Sequence, residues 1–150
     1  MTTLVTHSTA DRPQRVLSVD EASRALGVSA MTMYRLIREG QFAAIRIRSR
    51  LVVPAETVEA MGGRHPVEHP LLGPDCLDVD QVARALTVSR TTLYRLIHDG
   101  GFPSVVLRGR VVIPGDSVDA MIATAIDRRC TVDPRDWVAL FGSGYRRDGG

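Results

Sequence analysis

The feature that most constrains this chain is a duplication within its 150 residues. Residues 17–61 align with residues 77–121 without a gap, and about half of the paired positions are identical. Such self-similarity at a fixed period indicates two copies of one small structural unit. We therefore predict five segments: a flexible N-terminus (1–16), the first copy (17–62), a linker (63–76), the second copy (77–127) and a C-terminal tail with a short helix (128–150).

Each copy begins with signals for two short helices. The stretches "SVDE" from Ser18 and "DVDQ" from Asp78 have the form of a capping box, in which a polar N-cap is followed three residues later by Glu or Gln. After a short break ("GV" or "TV"), Ser29 and Ser89 are suited to cap a second helix that ends at the next glycine. Two helices joined by such a tight turn form a helix-turn-helix unit.

Past that glycine the hydrophobic period changes from about 3.6 residues to about 2. The stretches "AIRIRSRLVVP" and "SVVLRGRVVIP" predict two short strands around a tight turn, for which Gly109 is well suited and Ser49 less so. Pro54 and Pro114 then end the hairpin and open a third helix, which is longer in the second copy. Each copy is therefore predicted to be mostly α-helical with one small β-hairpin.

The composition of the chain indicates in which cellular compartment the protein is found. The chain has no apolar run of about 18 residues, and its N-terminus lacks the basic start and apolar core of a signal peptide. These patterns predict a cytoplasmic protein that does not enter a membrane. All nineteen basic residues are arginine, a cation well suited to phosphates and guanine edges, although GC-rich coding alone produces the same bias.

Cysteine and histidine offer little support for a metal site. Cys76 and Cys130 are the only cysteines and are interpreted as free thiols. His65, His69 and Cys76 lie in the Gly- and Pro-rich linker, but prolines separate them and no fourth ligand is near, so the linker interpretation is favoured. We predict neither a metal nor a cofactor.

The C-terminal tail carries one more helix signal. Asp133 is suited to be an N-cap and Pro134 a first helical residue, ahead of an apolar run that includes Trp137 and Phe141. This short helix either folds back on the second copy or docks on a partner. Folding back is favoured, because an apolar helix this short is seldom left exposed.

A family resemblance rests on "GVS…YRLIREG" followed by R-x-R, two apolar residues and proline. Both copies resemble the excisionase-type, MerR-like winged helix-turn-helix family, over roughly 90 residues in total. The resemblance implies a mostly α fold with small β-hairpin wings, built as two tandem winged helix-turn-helix domains. It also implies binding to double-stranded DNA, since members include phage and plasmid excisionases, transcription factors and repressors. The matching residues are Tyr34, Arg35, Gly40 and Pro54 in the first copy and Tyr94, Arg95, Gly100 and Pro114 in the second.

A helical wheel divides the second helix of each copy into two faces. Met33, Leu36 and Ile37 share a predicted core face, as do their counterparts Leu93, Leu96 and Ile97. The opposite face and its edges are the predicted DNA-reading surface. The hairpin arginines are a second predicted contact, with phosphates or a minor groove, although solvated strands also carry arginines. The predicted DNA-binding residues are Ala30, Met31, Thr32, Tyr34, Arg35, Arg38, Arg46, Arg48, Arg50, Arg90, Thr91, Thr92, Tyr94, Arg95, His98, Arg108 and Arg110.

The two copies differ mainly on that reading surface. Core positions change only between apolar types, whereas Ala30, Met31 and Arg38 of the first copy correspond to Arg90, Thr91 and His98 of the second. Shared Tyr and Arg suit phosphate contacts, which position a protein without reading sequence. Different base preferences on a common docking mode are the favoured interpretation. Faster drift of exposed positions is the alternative.

These patterns predict a sequence-specific DNA-binding protein, with a transcriptional regulator or repressor favoured and a phage or mobile-element origin left open. A linker of some 15 residues extends to about 50 Å, enough to place both helices in successive major grooves, so a monomer suffices for an asymmetric bipartite site. One alternative is an excisionase that bends DNA. Another is an adaptor that recruits RNA polymerase or a recombinase through the Trp137 tail. No phosphate-binding glycine loop, metal-spaced cluster or nucleophile set supports an enzyme.

Overall fold

The computed structural model describes residues 15–62 and 71–142. Each copy runs strand, helix, helix, hairpin, helix, which confirms the predicted mostly α fold with small β-hairpin wings. The first copy comprises β1 (Val16–Ser18), α1 (Val19–Leu26), α2 (Ala30–Arg38), β2 (Ala44–Ile47), β3 (Arg50–Pro54) and α3 (Ala55–Met61). The second comprises β4 (Cys76–Asp78), α4 (Val79–Leu86), α5 (Arg90–His98), β5 (Val105–Leu107), β6 (Arg110–Pro114) and α6 (Gly115–Arg128). The tail forms β7 (Thr131–Val132), a 3-10 helix (Pro134–Trp137) and α7 (Val138–Phe141).

The predicted helix caps are present. Ser18 Oγ accepts a hydrogen bond from the Glu21 N–H (3.1 Å), and Glu21 Oε1 accepts one from the Ser18 N–H (2.9 Å). Asp78 and Gln81 repeat this capping box at the start of α4. The first helix of each copy is therefore fixed by its own local sequence.

Thr87 holds a backbone conformation that favours glycine. It is the C-cap of α4 with φ of 57°, where the first copy has Gly27 with φ of 71°. A β-branched side chain in the left-handed region costs about 1–2 kcal/mol. Thr87 Oγ1 is also buried without a hydrogen-bond partner among the described residues. The second copy is therefore strained at its tight turn.

Relief of this strain is expected to stabilise the protein. Thr87→Gly should raise the free energy of unfolding by about 1 kcal/mol, since glycine adopts this φ freely and leaves no orphan hydroxyl. The matched variant Gly27→Thr should lower it by a similar amount. Urea unfolding followed by circular dichroism measures both changes. An unchanged midpoint for Thr87→Gly would show that the turn is not strained.

The two hairpins turn at an arginine. Wing 1 is the β2–β3 hairpin and wing 2 is the β5–β6 hairpin; both are antiparallel, with Ile47 opposite Arg50 and Leu107 opposite Arg110. Arg48 and Arg108 occupy the first turn position with φ of 57° and 52°. Ser49 and Gly109, on which the predicted turns were based, follow these arginines. The left-handed arginine in both copies was not anticipated.

The sheet of the first copy is buried on both faces. On one face, Ala44 and Val53 pack with Met33 in the first copy's own core. On the other face, Ile45 and Val52 belong to a second cluster, most of whose members come from the second copy. The two copies therefore pack directly on each other and share this cluster, termed the shared core.

The equivalent sheet face of the second copy is open. Ile47 is fully buried in the shared core, whereas its counterpart Leu107 is 48% exposed. Val16 is likewise buried, while its counterpart Cys76 is exposed. Equivalent strand positions thus lie in a core in one copy and at the surface in the other.

A buried ion pair joins the start of the first copy to the last helix of the second. Arg15 Nη1 lies 2.9 Å from Asp119 Oδ1, with the two side chains only 7% and 11% exposed. Asp119 also accepts hydrogen bonds from the backbone N–H groups of Leu72 and Gly73, each at 2.9 Å. One carboxylate therefore connects three separate parts of the chain.

The end of the predicted linker packs against the second copy. Leu72 is buried in the shared core, and Asp75 O accepts a hydrogen bond from the Gly115 N–H at 3.0 Å. A Cβ on Gly115 would clash with Gly73 O, so this position needs glycine where the first copy has Ala55. The boundaries of the five segments stay a prediction. The contact between the copies, however, differs from the free tether that the linker composition indicated.

The tail packs on both copies. Asp133 Oδ1 accepts a hydrogen bond from the Arg135 N–H, and Trp137 lies partly buried against the shared core. The strand β7, which was not predicted, pairs in parallel with β2 of the first copy. Near its other end the tail contacts the second copy, where Gly142 O accepts a hydrogen bond from the Ser104 N–H at 2.9 Å. The tail thus contacts both copies rather than the second alone.

Candidate nucleic-acid interface

The second helix of each copy has one buried face and one exposed face. Met33 and Ile37 are buried in α2, as are Leu93, Leu96 and Ile97 in α5. These positions confirm the predicted core face, except that Leu36 is only partly buried. Ser29 and Ser89 fix the helix starts by accepting hydrogen bonds from the N–H groups three residues on, as predicted.

Most of the predicted reading residues lie on the exposed face. Met31 is 81% exposed, which leaves a large apolar side chain in solvent at the start of α2. A flexible apolar group there is suited to contact a thymine methyl. The other exposed members are Tyr34, Arg35, Arg38, Arg90, Thr91, Tyr94, Arg95 and His98.

Three of the predicted residues are already engaged within the fold. Ala30 is partly buried and packs against the first copy's core. The hydroxyls of Thr32 and Thr92 hydrogen-bond to Ser29 Oγ and Ser89 Oγ, at 3.0 and 2.9 Å. These three side chains shape the start of each helix, and their contact with DNA stays a prediction.

Arg35 and Arg95 are exposed cations outside the ion pairs of the described residues. Both are exposed, at equivalent positions of α2 and α5. Within the part of the chain that the structure describes, the ion pairs involve other arginines. Neither guanidinium therefore has to leave a described carboxylate to bind a phosphate.

Arg90 is held by a carboxylate of the preceding helix. Its Nη1 atom lies 3.3 Å from Asp80 Oδ2, with side-chain exposures of 64% and 47%. An ion pair this exposed contributes less than about 1 kcal/mol. Asp80 therefore positions Arg90 at the start of α5 but holds it only weakly.

Two of the wing arginines, Arg110 and Arg48, lie beside α5. Arg46, Arg50, Arg108 and Arg110 are exposed. Wing 2 borders the first half of α5, where Arg110 lines an open depression together with Arg90 and Tyr94. Wing 1 reaches the other end of the same helix. Arg48 Nη1 lies 3.1 Å from Asp99 Oδ2, just after the last residue of α5.

Two further functional candidates carry no signal in the sequence. Asp80 and Asp99 place carboxylates inside an otherwise basic surface, each in contact with an arginine predicted to bind DNA. The Arg48–Asp99 pair links positions 51 apart in the chain. No local sequence pattern predicts this contact, because the contact depends on how the two copies pack on each other.

Signals for other functional classes are limited. No helix in the two described ranges is long and apolar enough to cross a bilayer. Those ranges also contain no group of three or more His, Cys, Asp or Glu side chains placed to hold a metal ion. His65 and His69 lie outside the described residues. Cys76 and Cys130 are free thiols.

Comparison with known proteins agrees with this geometry. A family model described as a helix-turn-helix domain matches the chain twice, at residues 16–61 and 76–125. Searches of curated proteins and of solved structures found no match. The two matched segments cover more than half of the chain and coincide with the two copies. The chain therefore belongs to the helix-turn-helix domain family, whose domain it contains twice.

Proposed function

We propose that this protein is a transcriptional regulator that reads an asymmetric bipartite site in double-stranded DNA with α2 and α5. The observation that carries the proposal is the pair of equally capped helices whose exposed faces differ in chemistry. Met31 and Arg38 on α2 correspond to Thr91 and His98 on α5. Membership of a helix-turn-helix family supports DNA binding, and the different faces favour two different half-sites.

The residues divide into those that position and those that read. Tyr34 and Arg35, shared with Tyr94 and Arg95, are exposed on both helices and suit phosphate contacts. Arg90 at the start of α5 suits a guanine, because arginine donates two hydrogen bonds to its O6 and N7 atoms. The first copy has Ala30 there instead, so the two helices should prefer different bases.

A regulator is favoured over a recombination factor because the readers are joined in one packed body. Two recognition helices at a fixed separation suit stable binding to an operator, where the bound protein blocks transcription or recruits RNA polymerase. Among the described residues of the tail, Trp137 is partly buried against the shared core, which reduces the surface it can offer to RNA polymerase or a recombinase. Leu140 is an exposed large apolar side chain of this described part, at 76%.

The test is a selection of bound sequences from a random duplex pool with the full chain. The full chain is used because each copy separated from the other would expose the shared core. We expect one bipartite, asymmetric motif. Arg35→Ala in the full chain should weaken enrichment of one part of it, because α2 loses the phosphate contact that anchors it in its groove, and Arg95→Ala should do the same for α5 and the other part.

The size of each effect is measured as the change in affinity for the selected duplex. Each of these two substitutions should weaken binding about tenfold, because each removes a charge-assisted contact, and the double variant should lose about a hundredfold. Arg24→Ala and Arg84→Ala are matched controls, since both arginines are exposed on the preceding helices. Binding by a folded double variant that equals the wild type would reject the DNA-reading role and favour a protein-binding adaptor.

A further inference from the structure

The tip of wing 1 lies against the recognition helix of the other copy. Arg48 donates a hydrogen bond from Nη1 to Asp99 Oδ2 at 3.1 Å. Asp99 is the C-cap residue of α5, so this contact joins the first copy's hairpin to the end of the second copy's helix. Arg48 therefore belongs to the first copy in sequence but contacts the recognition helix of the second copy in space.

Arg48 borders the predicted reading face of α5. One open depression is lined by Arg48 from the first copy together with six residues of the α5 region. Those six are Arg90, Thr91, Tyr94, Arg95, His98 and Asp99. The face that would enter a major groove thus has wing 2 along its first half and the tip of wing 1 along its second half.

This position is built into the packing. Ile47, the residue before Arg48, is fully buried in the shared core. The same strand is paired on its far edge by β7, through Ala44 with Thr131 and Ile45 with Val132. The base of wing 1 therefore moves with the second copy and the tail, and the tip stays beside α5.

We propose that Arg48 binds a DNA phosphate at the edge of the half-site that α5 reads, so that wing 1 serves the second copy as well as its own. This inference rests on the proposed function. In the free protein Asp99 occupies the guanidinium, with the two side chains 40% and 56% exposed. An ion pair this exposed contributes little, so a phosphate with its full negative charge replaces the carboxylate readily.

The duplicated fold strengthens the assignment. Wing 2 lies beside the first half of α5, and the shared element order of the two copies implies the same relation between wing 1 and α2. Wing 1 is then between the two recognition helices. Arg108, the equivalent tip residue of wing 2, forms no hydrogen bond or ion pair with α2 in the described part of the chain. The two tips therefore differ in role although they share a sequence position.

The first measurement uses a duplex that carries only the part of the selected site lost in Arg95→Ala. Arg48→Ala should weaken binding of the full chain to this half-site about fivefold, although Arg48 belongs to the other copy. Asp99→Asn should strengthen it a few-fold, since it removes a carboxylate that competes with phosphate. Arg24→Ala is the matched control on the first copy. Unchanged affinity of a folded Arg48→Ala variant for this duplex would overturn the proposal.

The second measurement locates the tips directly. In a Cys76→Ser, Cys130→Ser background, Ser49→Cys and Gly109→Cys carry an iron chelate that cleaves nearby DNA. We expect cleavage from position 49 between the two parts of the site and from position 109 at the outer edge of the α5 part. Cleavage from position 49 at the outer flank of the α2 part would overturn the proposal while leaving DNA binding intact. Absence of any selected site would reject the proposed function itself.

Discussion

Replacing Asp119 with alanine is expected to lower the free energy of unfolding by about 3–5 kcal/mol, because it leaves a buried arginine charge without a partner. Arg15 and Asp119 are among the least exposed charged side chains described, and their atoms meet at 2.9 Å. Arg15 Nε has no hydrogen-bond partner among the described residues, so the guanidinium depends on its Nη1 contact with Asp119. The substitution also removes the acceptor for the Leu72 and Gly73 N–H groups.

Urea unfolding of the full chain measures this loss. Asp116→Ala is a matched control, since Asp116 is an exposed carboxylate in the first turn of the same helix and should contribute less than about 1 kcal/mol. Joint replacement by Arg15→Met and Asp119→Leu should recover much of the lost stability, because no buried charge remains. If Asp119→Ala costs no more than Asp116→Ala, the ion pair does not hold the copies together.

The helices and the two hairpins were predictable because each is marked by residues a few positions away, whereas the short strands β1, β4 and β7 were not predicted. The capping boxes at Ser18 and Asp78, the caps at Ser29 and Ser89, and the change of hydrophobic period all depend on neighbours in the chain. Each signal also occurs twice, which separates it from chance. The helix-turn-helix unit and its hairpin therefore follow from the sequence.

The packing between the copies was not predictable in the same way. Ile45 and Ile47 alternate with polar neighbours as a half-buried strand should, and the pattern cannot say which partner covers them. Here the partner is the second copy, as the shared core shows. The equivalent positions Val105 and Leu107 are also apolar, yet Leu107 is 48% exposed. Apolar character alone therefore predicts burial in only one of two nearly identical contexts.

The candidate site was predictable in outline only. The exposed faces of α2 and α5 follow from the helical period, but the carboxylates that hold Arg48 and Arg90 do not. Asp80 is shared with the first copy as Asp20, so nothing in its identity marks it as a partner for Arg90. Such contacts depend on side-chain placement across elements, which periodicity does not encode.

Because the two copies pack on each other, a change in the DNA rather than in the protein should also have a large effect on binding. Five base pairs inserted between the two parts of the selected site should weaken binding by about 10²- to 10³-fold, since the insertion turns one part half a helical turn away from the other. Ten inserted base pairs restore the facing but add about 34 Å of separation. If α2 and α5 are held at a fixed separation, the protein should lose affinity for both the five- and the ten-base-pair insertion. If the copies were joined only by a flexible linker, affinity would recover for the ten-base-pair insertion.

Spacing therefore measures how the two helix-turn-helix domains are coupled. The readers α2 and α5 are held at one separation by the shared core, by β7 across the first copy's sheet and by Asp119 across three segments. Competition of each spaced duplex against the selected one gives the affinity ratio, and the same insertions placed outside the site are the control. Equal affinity at zero and ten inserted base pairs would mean that the copies separate on DNA. In that case the buried ion pair and the parallel strand would be broken when DNA is bound, and Asp119→Ala would weaken binding less than it weakens folding.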